Sequence, residues 1–236
     1  MSNIILDICE YQEGITFLEK PLLEENKFIT RITKKSGAVD LMSTRYKDHK
    51  NHIGYYKYVN AMSTYTAQYE VEQIKKCGLL DGTKILWVDL ETVFLRENPE
   101  ICEKVFVVFL DNFVNVGIYC DLDFYRSNVS KWISKYNVPL WVACYGRNNG
   151  EVDERKIESV TDIKNVAMWQ FTSKYKGYNL DASITIDKME YVPYNTEKVK
   201  EVQRFLNDRY KYNLSVDGVM GKKTFTALCR CAGFIE

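Results

Sequence analysis

Short apolar runs, each about the length of one buried strand, recur along the chain at intervals that leave room for helices between them. The runs are NIILDI (3–8), KFITRI (27–32), HIGYYKYV (52–59), KILWVDL (84–90), VFVVFL (105–110), NVGIYC (115–120), PLWVACY (139–145) and NVAMWQF (165–171). Among the spacers, TAQYEVEQIKKCGLL (66–80) carries Val71, Ile74 and Leu79 near a 3.6-residue period, which predicts an amphipathic helix. Eight buried strands separated by crossovers predict an α/β fold with a parallel, closed barrel; an open doubly wound sheet reads the same way at this level. EYQEGI, after the first run, lacks GxGxxG, and GxxxxGK[ST] occurs nowhere, so nucleotide chemistry loses most of its support.

Beyond residue 190 the pattern changes. YVPYNTE holds Pro193 and a helix cap at Thr196, and reads as a linker over 191–197. In KVKEVQRFLNDRYK (198–211), Val199, Val202, Phe205, Leu206 and Tyr210 fall on one helical face. The turn VDGVMG, with Gly218 and Gly221, precedes a second amphipathic helix, KKTFTALCRCAGF. The predicted organisation is therefore a barrel over 1–190 and a two-helix module over 198–236. At 39 residues the module is near the size below which domains seldom fold unaided, so it is expected to dock on the barrel or to self-associate.

Composition narrows the function classes. Lys and Arg number 32 against 32 Asp and Glu, so no global positive field holds a polyanion, and binding to nucleic acid is not expected. Residues 196–236 carry eight basic and five acidic side chains, a mild asymmetry that a solvated face explains as well as a ligand does. Seven scattered cysteines and two histidines, His49 and His52 in a polar loop, show no ligand spacing, which argues against a zinc site or a disulfide scaffold. MSNIILDICE lacks a basic n-region and no run approaches membrane-spanning length, so the chain is expected to be made in a cytoplasm without a signal peptide or membrane insertion. Seventeen tyrosines outnumber the twelve glycines; their apolar faces and polar tips suit a sugar or peptide groove as well as a core.

The sharpest chemical feature is KILWVDLE (84–91). Residues two apart on a strand project to one side, so Asp89 and Glu91 are expected to point inward at the strand's C-terminal end, with Cα atoms about 6.5–7 Å apart. That end is the mouth of a barrel, where catalytic groups collect. Adjacent carboxyls raise one another's pKa and burial raises it further, leaving one protonated as an acid while another stays ionised. On the triplet alone, two solvated loop acids are the commoner reading, because perturbed sites are a minority of acidic pairs. Asp7, near the end of the first strand, would be costly to bury without partners and adds to the same rim. Asp181, in YNLDASI, is placed after the eighth strand, either closing that rim or serving as a turn residue.

The ordered set of DICEYQ with Asp7 and Gln12, FITRIT with Arg31 and Thr33, GYYKY, WVDLE, VGIYC, LWVACY, MWQFTS and NLDAS resembles glycoside hydrolase family 25 over residues 3–187. That family contains the lysozymes (N-acetylmuramidases) common among bacteriophage endolysins and bacterial autolysins. VKEVQRFLNDRYKYNLSVDGVMGKKTFTAL is similar to the peptidoglycan-binding domain type with its LQxFLN…VDGxxGxxT pattern.

The resemblance implies a flattened, TIM-like (β/α) barrel, no metal and no cofactor, and peptidoglycan glycan strands as partner. It implies Glu91 as general acid/base on the MurNAc–GlcNAc β-1,4 bond. Asp89 would orient the 2-acetamido group or stabilise positive charge at the anomeric carbon, and Asp7 and Asp181 would complete the acidic cluster. Whether the nucleophile is an enzyme carboxylate or the substrate's own N-acetyl group stays open. Tyr56, Tyr58, Tyr119, Trp141, Tyr145 and Trp169 lie at strand ends or in motif blocks, where rings stack on pyranose faces or pack the barrel; Gln170 and Arg31 join them as candidate sugar contacts. The family's acidic-glycine pair after the second-strand Thr is here Lys34 and Lys35, so contacts in that loop are expected to differ. The implied function is a phage-type endolysin held in the host cytoplasm until released to the wall. The alternatives are a non-catalytic wall-binding protein that keeps the groove, and an amidase or peptidase, which lacks metal ligands here.

Overall fold

A computed structural model of the chain describes residues 4–14, 20–186, 196–218 and 222–231. Eight strands, β1 (Ile4–Ile8), β2 (Lys27–Arg31), β3 (His52–Tyr58), β4 (Ile85–Asp89), β5 (Val116–Asp121), β6 (Leu140–Ala143), β7 (Val166–Thr172) and β8 (Asp181–Thr185), close a barrel in sequence order. The α/β barrel class matches the sequence expectation, with two corrections.

The run 105–110 is not a strand. It is the second half of a helix over Pro99–Leu110, whose Cys102, Val105, Phe106 and Phe109 recur at helical spacing and are buried against the barrel. A continuous apolar run does not distinguish a buried strand from a buried helix, and Pro99 at the first turn favours the helix. The eighth strand is DASIT instead, so Asp181 opens β8 rather than following the last strand.

Nor is the barrel all parallel: β8 runs antiparallel to both β7 and β1. The connection from β7 to β8 spans only residues 173–180. A parallel return needs a crossover of about a dozen residues or more, so the short link forces the reversal.

Alternation along the strands builds two cores. Ile5, Ile29, Ile85, Trp87, Trp141 and Met168 point inward and fill the barrel. Leu6, Phe28, Leu86, Val88, Ile118 and Val142 point outward and pack beneath the helices. Each such side chain, fully buried, contributes about 1.5–3 kcal/mol. Gly117 faces its β4 register partner Trp87, and a Cβ there would lie 2.4 Å from the indole ring. The absence of a side chain on β5 is what lets the ring lie across it.

The helices are α1 (Lys20–Glu25), α2 (Leu41–Tyr46), α3 (Thr64–Cys77), α4 (Val93–Glu97), α5 (Pro99–Leu110), α6 (Leu122–Ser127) and α7 (Ile157–Thr161), followed by α8 (Thr196–Tyr210) and α9 (Lys222–Cys231). Ser63 caps α3, accepting from the Thr66 N–H at 3.2 Å, and Ala67, Val71 and Ile74 are its buried face. Lys57, outward on β3 and 2% exposed, meets Glu70 of α3 at 3.1 Å and fastens the helix to the sheet.

Helices α8 and α9 pack on each other. The buried stripe of α8 is Val199, Gln203 and Leu206; Phe205 and Tyr210, expected on that stripe, are exposed. Gln203 explains the shift. Its Nε2 donates to Asp217 Oδ1 (2.8 Å) and Thr224 Oγ1 (3.1 Å), and its Oε1 accepts from the Gly218 N–H (2.9 Å). Asn207 grips the same loop through both backbone groups of Leu214. The expected linker falls largely outside the described residues, as do the C-terminal residues 232–236.

Candidate active site

Acids finish the strands at one end of the barrel. Asp89 and Asp121 are the last residues of β4 and β5, and Asp7 is one residue short of the end of β1. Because β8 runs the other way, its first residue reaches the same rim, and Asp181 is the register partner of Asp7. Asp89 pairs with Tyr58 on one side and Tyr119 on the other. Glu91 lies two residues beyond β4 rather than on the strand, so it is turned sideways: its Oε1 accepts from the backbone N–H of Asp121 and from Arg96 Nη2, the latter at 3.1 Å. Asp89 Oδ1 in turn accepts from the Glu91 N–H at 3.1 Å.

A cavity of about 640 Å³ opens over these groups. Asp7, Asp89, Glu91 and Asp181 line it together with Tyr56, Tyr58, Tyr119, Trp141 and Arg31. Lys34 and Lys35 form part of one wall; Lys34 is paired with Glu10, and the Lys35 ammonium lies 5.1 Å from the centre of the Tyr58 ring. A second cavity of about 500 Å³ shares Glu91 and Tyr119 with the first and continues past Arg96, Asp121 and Tyr145. Glu91 thus stands where the two arms of one cleft meet.

The carboxyls are tuned against ionisation. Burial, then Asp89, then hydrogen bonding with Asp121 raise Glu91 to about 8. Burial carries Asp89 to about 7, against the Glu91 amide and Arg96, which favour its anion. Burial lifts Asp181 to about 6. Asp7 is pushed well above the usual carboxylate range by burial and by the charges of Asp181 and Asp89, with Arg31 opposing. Asp121 goes the other way: burial would raise it, but the Arg96 guanidinium, Glu91 and the Phe124 N–H hold it below its ordinary value. The rim therefore offers proton donors and one firmly ionised carboxylate near neutral pH.

Of the residues singled out from sequence, Trp169 is misplaced. Met168 and Gln170 face inward, so Trp169 between them points into the outer core, 1% exposed, with its indole N–H donating to the Cys144 carbonyl at 2.9 Å. Strand parity decides this, and the ring is not part of the cleft. Gln170 is also buried, beneath the cleft; its Oε1 accepts from the hydroxyls of Tyr119 (2.7 Å) and Tyr145 (2.8 Å), setting both rings. Trp141 forms the floor, edge-on to Tyr119 and Trp87, its N–H bonded to Ser183. Arg31 lines the cavity but is engaged by Asp40 at 2.7 Å and Glu10 at 3.1 Å. His52 is not in a polar loop: it opens β3, stacks on Phe28 and is held neutral, lowered to about 4 chiefly by burial. Among the described residues no three His, Cys, Asp or Glu are grouped to hold a metal.

Arg96 and Asp121 were not singled out from sequence. Asp121 could have been found, since VGIYCD ends on an acid as ILWVD does, and it also caps α6 by accepting from the Phe124 N–H at 2.7 Å. Arg96 carries no such signal; it reaches both Glu91 and Asp121 from α4 only because β4 and β5 are neighbours.

A barrel whose strand ends gather several carboxyls tuned toward neutrality, beneath an aromatic-lined cleft, has the parts of a glycoside hydrolase. Residues 24–179 match glycosyl hydrolases family 25, and the chain belongs to that family. It is 27% identical to the autolytic lysozyme of Clostridium acetobutylicum over 188 residues, 75% of this chain and 55% of that protein, so it spans about half the length of this curated relative. Among solved structures, a glycosyl hydrolase 25 virulence factor of Streptococcus pneumoniae participating in host cell invasion superposes with a TM-score of 0.60 at 18% identity, covering 79% of this chain and 88% of that one. The modular Cpl-1 endolysin complexed with a peptidoglycan analogue gives 0.59 at 16% identity over 80% of this chain and 56% of that one. The CTP1L endolysin gives 0.58 at 19% identity over 98% and 99%.

Proposed function

We propose that the protein is an endolysin-type lysozyme that hydrolyses the β-1,4 bond between N-acetylmuramic acid and N-acetylglucosamine in bacterial peptidoglycan. The observation that carries this reading is the position of Glu91: a carboxyl with a pKa of about 8, beside Asp89, at the junction of the two cleft arms. A polysaccharide lying through both arms passes over Glu91, so the bond to be cut sits there. Glu91, protonated at neutral pH, gives its proton to the departing glycosidic oxygen as the carbon–oxygen bond breaks. Asp89, fixed by the Glu91 amide, orients the 2-acetamido group or stabilises the positive charge developing at the anomeric carbon. Asp7 and Asp181, which resist ionising together, add at most one negative charge to the same side. Water then enters at the anomeric carbon, and the Glu91 carboxylate takes up its proton.

Tyr58 and Tyr119 supply flat surfaces for the sugar rings above the Trp141 floor, and Gln170 keeps the Tyr119 and Tyr145 hydroxyls in place. The biological setting that fits is phage-borne: the enzyme accumulates in the host cytoplasm and reaches the wall on release, lysing the cell. The helical pair α8–α9 is read as a wall-directed module that docks or self-associates.

Mass spectrometry of digested peptidoglycan tests the reading. The expected product has a new reducing MurNAc end, and Glu91→Gln yields none. Wall sedimentation by the parent without new reducing ends would instead favour a non-catalytic wall-binding protein, and free amino groups an amidase or peptidase.

A further inference from the structure

The second arm of the cleft holds charge that the glycan chemistry leaves unused. Three cations line it, Arg96, Arg126 and Lys156. Arg96 is consumed by Glu91 and Asp121. Among the described residues, the side chains of Arg126, on α6, and Lys156, just before α7, make no ion pair or hydrogen bond. Asp123 is the additional acid of this arm and is exposed, in the first turn of α6. Both free cations bear on the same wall residue: burial raises the Cys144 thiol pKa, and Lys156 and Arg126 pull it down, with Asp123 opposing them.

The wall they face is a built surface. The loop after β6 is pinned by buried Asp153, which accepts from the Arg147 N–H at 3.1 Å. Gly146 in that loop has φ 56°, and a Cβ there would collide with the Asp153 side chain at 2.5 Å. Asn148 ties the loop to β7 through Thr172 at 2.9 Å and to the Ser173 N–H at 2.8 Å.

Alternating N-acetylated sugars bring no charge of their own to this arm. The peptide stem, joined by an amide to the lactyl ether of each muramic acid, does: its later residues and its C-terminus carry free carboxylates. We propose that Arg126 and Lys156 form a subsite for the stem-peptide carboxylates, so that the protein selects glycan whose peptide stems keep their negative charge. This rests on the muramidase reading and names the part of the polymer that the second arm takes. Two partly exposed cations are worth modest energies each, summing to about a five- to tenfold preference.

The test compares the parent with the double variant Arg126→Gln/Lys156→Gln on teichoic-acid-free peptidoglycan, intact and with its stem carboxylates capped as neutral methylamides by carbodiimide coupling. The ratio of kcat/KM on intact to capped peptidoglycan is expected to fall about five- to tenfold in the variant, through KM. An unchanged ratio overturns the subsite. Calorimetric binding of a soluble peptide-bearing muropeptide gives a readout free of cleavage, expected to weaken by a similar factor in the variant. If the parent cuts neither glycan but that loss of affinity is seen, the muramidase reading fails and the carboxylate subsite stands. Equal affinities overturn the subsite whether or not cleavage occurs.

Discussion

Asp7 and Asp181 are register partners across the antiparallel pair of β1 and β8, two carboxyls facing one side of one rim, and Asp7 Oδ1 is buried with no hydrogen-bond partner among the described residues. Two acids so placed resist simultaneous ionisation, and burial adds to the resistance. Both have pKa values raised in the folded state, so across the window from their unfolded values near 4 to their raised ones the native state holds more protons than the unfolded chain. Stability then falls as pH rises through that window. Asp7→Asn removes the ionisation; its melting temperature is expected to exceed the parent's by about 2–4 °C at pH 8, with the difference vanishing near pH 3. Melting curves over that pH range check it, and a constant offset would contradict it.

The activity profile is set by the same cluster. Glu91 must be protonated to act as an acid, so kcat/KM is expected to fall as pH rises through about 8. On the acid side it falls as the ionised carboxylates of the rim take up protons, with Asp181 titrating at about 6. Glu91→Gln is expected to lose about 10²–10⁴-fold in rate while keeping the parent's circular dichroism spectrum.

Arg96 acts on the site as a positioning residue through Glu91 and Asp121, with both of which it is paired. Removing its charge in Arg96→Gln lets the Glu91 pKa climb, moving the basic limb of the profile to higher pH, and lowers kcat/KM by about tenfold through loss of orientation. A fall in activity with the limb unmoved would mean that Arg96 only stabilises the fold.

Gly117→Ala tests the packing beneath the site. The added methyl meets the Trp87 ring at 2.4 Å, and overpacking of this kind costs about 1–3 kcal/mol. Chemical denaturation should show that loss, and Gly117→Ala/Trp87→Leu should recover part of it. A neutral Gly117→Ala would show that the ring has room to move.

Seven of the eight strands could be read from their apolar runs. β8 could not, because Asp181 and Ser183 face the barrel interior, one at the rim and one bonded to the Trp141 indole, so the strand looks polar. VFVVFL suggests a strand for the converse reason: helix and strand both bury such a run. At the site, Asp89 and Glu91 were recognisable as a pair two residues apart, but the end of β4 at Asp89 turns Glu91 toward β5, which spacing alone does not encode. Trp169 shows the same lesson at a finer scale, since a one-residue change of parity moves a ring from the cleft to the outer core.

The reversal of β8 reaches beyond the barrel. Thr185, the end of that strand, is delivered to the end of the barrel opposite the acids. There Asp217, in the loop between α8 and α9, helps line a cavity with Lys84 and Asn115, which immediately precede β4 and β5. Cargo added after the barrel is thus hung from its back. A different segment in place of this tail would lie away from the acidic rim and leave its geometry as it is.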